Sequence, residues 1–159
     1  MDRPQLMNSL ELKIPPVAVV LCTAALMWVV ARFLPLGEVQ FPARIVFAIA
    51  CAGAGVVASG LGVMAFRRAR TTVNPTKPGA TSALVHSGVY SLTRNPMYLG
   101  FLLILCGLAI FLGNAFVFPF LPMFILYMNR FQIQPEERAL TKSFGAMFTG
   151  YTARVRRWI

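Results

Sequence analysis

Two short stretches carry residue types that chemistry uses. The first is Thr93-Arg94-Asn95-Pro96-Met97-Tyr98, at the mouth of a long apolar run. The second is Pro135-Glu136-Glu137, where two of only five acidic residues stand together near several arginines. A helix N-terminus beside an arginine attracts a carboxylate or a phosphate. Tyr90 and Tyr98 offer aromatic faces, which favour cations. A glutamate pair can hold a cationic group. Each stretch also has a plainer meaning. Asn95 caps a helix that begins at Pro96, where no N–H is needed. Gln134 likewise caps a helix that begins at Pro135, with both glutamates facing its positive end. A capped helix end can still be the floor of a pocket, so both meanings stay open. Arg130, at the end of an apolar run, reads by default as an interfacial arginine whose stem lies in apolar surroundings.

The elements that must position these residues are apolar. Of 159 residues, 57% are hydrophobic and 13% charged, about half the usual charged share of ~25%. The mean hydropathy is +0.67. This is the profile of an integral membrane protein. Residues 14–34 and 45–66 each supply roughly the 20 residues that cross ~30 Å of hydrocarbon. The second run holds Gly53, Gly55, Ala58, Gly60 and Gly62, small residues that let helices approach closely in lipid. Residues 97–128 would make a helix about 48 Å long, too long for one crossing. Gly113-Asn114 near the middle is turn chemistry, so this region reads as a helical hairpin, 97–112 and 115–128, with a re-entrant hairpin as the alternative. Pro119 and Pro122 make its second half irregular.

Four spans place both chain ends on one side. That side holds Arg3, Lys13, Arg67, Arg68, Arg70, Lys77, Arg94, Arg130, Arg138, Lys142, Arg154, Arg156 and Arg157; the other holds Arg32 and Arg44. The positive-inside rule makes the rich side cytoplasmic. Pro75, Pro78 and Gly79 make the first half of the 67–95 loop extended or turning. In the tail, 129–159, Leu140, Phe144, Met147, Tyr151, Val155 and Trp158 recur at three- or four-residue spacing with basic residues between them. This predicts a basic amphipathic helix at the membrane surface, broken near Gly145 or Gly150.

Several functions are excluded or disfavoured. The net charge of +10 suits an anionic membrane, and no nucleic-acid motif accompanies it, so nucleic acid is not an expected partner. Cys22, Cys51 and Cys106 lack metal-ligand spacing and read as small buried hydrophobes. His86 has no ligand-type neighbours, so no metal is expected. No acidic residue lies deep in a span, which disfavours a proton-coupled transporter.

Taken together, residues 84–100 and 129–159 resemble the isoprenylcysteine carboxyl methyltransferase family, part of a wider set of membrane methyltransferases that includes phospholipid methyltransferases. The matching residues are Gly88, Tyr90, Arg94-Asn95-Pro96, Tyr98, Gly100, Glu136-Glu137, Phe144-Gly145, Tyr151 and Arg154-Val155. The family carries histidine in its eukaryotic members where this chain has Asn95. The resemblance implies an all-α membrane enzyme of four transmembrane helices with an interfacial C-terminal helix. It implies one domain over 1–159, with an N-terminal transmembrane hairpin (1–66) and a cofactor-binding core (67–159). The implied cofactor is S-adenosylmethionine, bound by Leu84, Val85, Gly88, Tyr90, Asn95, Pro96, Tyr98, Glu136 and Glu137. The implied partners are the lipid bilayer and a small or lipophilic methyl acceptor. A carboxylate acceptor needs only orientation, for which Arg94 and Arg130 are the catalytic candidates. The expected location is a bacterial inner membrane. A sterol-type reductase using a nicotinamide cofactor, and a membrane scaffold without activity, remain the alternatives.

Overall fold

The computed structural model describes residues 11–35, 37–69 and 84–159. Three of its helices are long and apolar enough to cross a membrane: α1 (Pro16–Phe33), α2 (Arg44–Arg68) and the continuous stretch Ala115–Phe144. A shorter apolar helix, α3 (Pro96–Leu112), lies between the last two. Its 17 residues span about 25 Å. Among the described residues the only β feature is an isolated bridge between Glu38 and Asn114. The turning segment expected around Pro75, Pro78 and Gly79 lies outside the described residues.

The chain reverses where the sequence placed a turn. Gly113 takes the left-handed conformation (φ 61°) that ends α3, a position suited to glycine. Its carbonyl accepts the Val39 N–H at 2.7 Å. Asn114 is buried and fastens the same end: its Nδ2 donates to Leu34 O at 2.7 Å, and its Oδ1 accepts from Phe116 N at 2.9 Å. The end of α1, the start of α2 and the α3 turn therefore meet at one end of the bundle. At the other end, Arg94 N–H donates to Arg156 O and Leu12 N–H to Phe131 O. Most of the described basic residues gather there, while Arg32 and Arg44 sit at the turn end.

The last helix departs from expectation. No fresh helix starts at Pro135, and Gln134 caps nothing. Instead α4 (Phe120–Met128) runs through a π turn (Asn129–Ile133) into α5 (Gln134–Phe144). Proline breaks an α-helix because it lacks the N–H owed to the carbonyl four residues earlier. Here that carbonyl, Phe131 O, receives the Leu12 N–H at 3.0 Å instead. The π turn takes up the misfit, with Gln134 N–H reaching back to Asn129 O. Such bulges recur at functional sites. At Gly145 (φ 50°) the helix finally breaks, and α6 (Ala146–Arg154) follows with Gly150 inside it.

A core of Met27, Tyr98, Leu105, Ala109, Val117, Phe124, Met128 and Ile133 ties α1, α3 and the last helix together. α1 and α2 pack on α3 rather than chiefly on each other. Outward, Val17, Leu21, Trp28, Val46, Phe47, Ile49, Val56 and Val57 are exposed. So large an apolar surface belongs in hydrocarbon; the protein is an integral membrane protein. Cys22 also faces outward, contrary to its expected burial. Cys51 is partly buried, and its thiol donates to Leu103 O at 3.3 Å.

The α2–α3 contact is made by small residues. A Cβ added to Gly100 would stand 2.5 Å from Gly55 O and 2.8 Å from Ser59 N, both backbone atoms. Nothing lies within 4 Å of one added to Gly60. Gly100→Ala must therefore push two backbones apart, at about 1–3 kcal/mol. Gly60→Ala should raise stability by about 0.5–1 kcal/mol through helix propensity alone. Thermal unfolding in detergent reads both; equal shifts would rule out close approach at Gly100.

Candidate functional site

The site forms where the start of α3, the start of α5 and the C-terminal segment converge. Pro96 occupies the first position of α3. Asn95 precedes it, but its side chain does not cap the helix. Its Nδ2 donates instead to Arg157 O at 3.0 Å, and its N–H reaches Thr93 Oγ1 at 3.2 Å. The buried Thr93 hydroxyl donates to the same Arg157 carbonyl at 3.1 Å. Arg94 N–H meets Arg156 O at 2.9 Å. Residues 156–157 are thus laced along Thr93-Arg94-Asn95. Trp158 Nε1 fastens the end of the chain to Asn129 Oδ1 in the π turn at 3.0 Å.

This lacing places three charges together. Arg94 Nη1 lies 3.0 Å from Glu137 Oε1. Arg157 grips the same carboxylate with two bonds, Nε to Oε1 at 2.9 Å and Nη2 to Oε2 at 2.6 Å. The pairing holds the Arg157 guanidinium above its ordinary pKa. Arg94 Nε is buried and has no partner among the described residues. The adjoining cleft, about 480 Å³, is lined by Gln134, Glu137, Arg138, Thr141 and Arg157.

The neighbouring Glu136 is held quite differently. It accepts a hydrogen bond from the Tyr98 hydroxyl and has no cationic partner among the described residues. Tyr90 is buried close by; its ring meets Phe66 edge-on at 5.4 Å, and its carbonyl accepts the Tyr151 hydroxyl at 2.7 Å. Desolvation raises the Tyr90 pKa, so it stays a neutral phenol.

Arg94, Asn95, Pro96, Tyr98, Glu136 and Glu137 come together, with Tyr90 beside them. Leu84 packs on the satellite core of Phe148, Tyr151 and Val155. Val85 is partly buried; Gly88 opens the turn before Tyr90 with φ 62°. Arg130 is bound elsewhere: its Nη1 lies 2.5 Å from Glu11 Oε1, and Arg138 pairs with the other oxygen of Glu11. Sequence reasoning missed Arg157 and Thr93. Arg157 read as one more basic residue on a surface helix. The usable signal was the shortage of acids: Glu137 had to be shared by any arginines brought near it.

The family model for phospholipid methyltransferase matches residues 43–147. The chain belongs to that family, within the set of membrane methyltransferases that its motifs resemble. It is also 43% identical over 63 residues to an uncharacterized protein of Haemophilus influenzae; the match covers 40% of this chain and the whole of that protein. No solved structure matches.

Proposed function

We propose that the protein is an S-adenosylmethionine-dependent methyltransferase acting on a small or lipid-like acceptor that reaches the site through the bilayer. One observation carries this. Two adjacent carboxylates are held differently, Glu137 paired with two arginines and the half-buried Glu136 without a cationic partner among the described residues. A carboxylate taken from water without a counter-charge is costly. A ligand's ammonium would supply that charge, while the arginines around Glu137 suit a carboxylate. The residues present therefore fit the amino-acid end of this cofactor. When bound, it would supply a methyl group on a sulfonium, open to direct displacement. Tyr90 and Tyr98 would wall the cationic part. Arg94 would orient the reacting groups. Arg130, tied to Glu11, would take part in orienting the acceptor only on release from that pair. Asn95 holds the C-terminal segment in place and moves no proton.

In this reading the chain is one domain, with α3 as the fourth crossing. Both ends and the site face the cytoplasm of a bacterial inner membrane in this reading, and the basic residues gathered at that end support this orientation. The test is calorimetric titration of the detergent-purified chain with S-adenosylmethionine and with nicotinamide dinucleotides. It is followed by transfer of labelled methyl to a membrane-lipid extract. Binding of S-adenosylmethionine with label in the lipid fraction is the expected result. Binding of a nicotinamide dinucleotide instead would overturn it.

A further inference from the structure

We infer that Arg157, on the C-terminal segment, is the principal receptor for the carboxylate of the cofactor's amino-acid end, with Arg94 beside it and Glu137 positioning both; this rests on the S-adenosylmethionine reading above. The charge count comes first. Glu137 carries one negative charge against two guanidiniums at 2.6 and 3.0 Å, so the cluster keeps a net positive charge. Arg138, which also lines the cleft, shares Glu11 with Arg130 in the same two-to-one ratio. The cleft therefore selects an anion.

Geometry narrows the choice of arginine. A guanidinium has five N–H donors. Arg157 spends Nε and one Nη2 hydrogen on Glu137 and lines the cleft with its side chain 36% exposed. Arg94 is more enclosed, at 15%, and its unpartnered Nε lies in the buried part of the cluster. The Arg157 backbone cannot drift, since its carbonyl receives both Thr93 and Asn95. Glu137 is then a support that holds two cations in place, rather than the ligand of the ammonium. That task falls to Glu136, one residue away. The Glu136 carboxylate and the guanidiniums held on the adjacent Glu137 offer charges of opposite sign that match the paired charges of an α-amino acid, and a lone phosphate would leave Glu136 unmatched.

The experiment compares S-adenosylmethionine with its decarboxylated analogue, which lacks only the carboxylate, by calorimetric titration of the full chain in detergent. Arg157→Ala should weaken S-adenosylmethionine by roughly 10- to 100-fold, the scale of a charged hydrogen-bonded contact. It should leave the analogue within about 3-fold of wild type. Arg157→Lys keeps the charge without the fork, and should show the same selectivity in smaller measure. It serves alone if the alanine variant does not fold. Equal weakening of both ligands would mean that Arg157 only straps the chain end down, and would overturn the inference. So would no weakening of either. A wild-type protein that binds neither ligand overturns the cofactor reading itself, which is a separate result from an indifferent Arg157.

Discussion

Glu137→Ala should destabilise the protein by about 2 kcal/mol, between the ~0–1 kcal/mol of an exposed ion pair and the ~3–5 kcal/mol of a fully buried one, and remove the proposed S-adenosylmethionine binding with it. The carboxylate is the shared partner of Arg94 and Arg157, with side chains 15% and 36% exposed. Without it two guanidiniums face each other across a few ångströms. The figure sits below the buried-pair range because Arg157 keeps access to water. Two further variants separate charge from packing. Glu137→Gln preserves shape and hydrogen bonding, and should lie between wild type and Glu137→Ala. Adding Arg157→Ala to Glu137→Ala should recover part of the loss, because one of the unpaired cations is gone. Thermal and denaturant unfolding in detergent measure all three. A loss of no more than about 0.5 kcal/mol, the usual size for surface substitutions, would show that the cluster holds nothing together.

The second large effect concerns the charge that Glu136 offers a ligand. Its carboxylate takes the Tyr98 hydroxyl as hydrogen-bond donor and has no cationic partner among the described residues. On the reading proposed above, a ligand ammonium supplies the missing counter-charge. Glu136→Gln keeps an acceptor for the Tyr98 hydroxyl and removes the charge. It should weaken S-adenosylmethionine about 10-fold or more in calorimetric titration, while thermal unfolding in detergent shows the variant still folded. Unchanged affinity in a folded Glu136→Gln variant would remove the argument for a cation there.

Much of the protein was legible because its determinants are local. Apolar run lengths located α1, α2 and the region from Pro96 onwards. Gly113-Asn114 marked the reversal, because few residues other than glycine accept a left-handed helix end. Pro96 marked the start of α3, since its missing N–H is harmless there. The charge difference between the two ends came directly from counting arginines and lysines. The motif residues Arg94, Tyr98, Glu136 and Glu137 did meet, and the family assignment agrees with the resemblance that those motifs suggested.

What failed depended on partners distant in sequence. Pro135 looked like a helix start, because nothing local shows that Leu12 supplies the N–H that Phe131 O would otherwise lack. Asn95 looked like a cap, but Arg157 O, 62 residues away, takes its side chain. Arg130 and Glu11 lie 119 residues apart and meet at 2.5 Å. The sequence by itself determined a helical membrane protein, the ends of most of its helices, and the residue types at its site. Only the tertiary structure decided which cation stands beside which carboxylate. Hydropathy and capping are properties of a few neighbouring residues, whereas an ion pair is chosen by which segments the packed helices bring within about 3 Å.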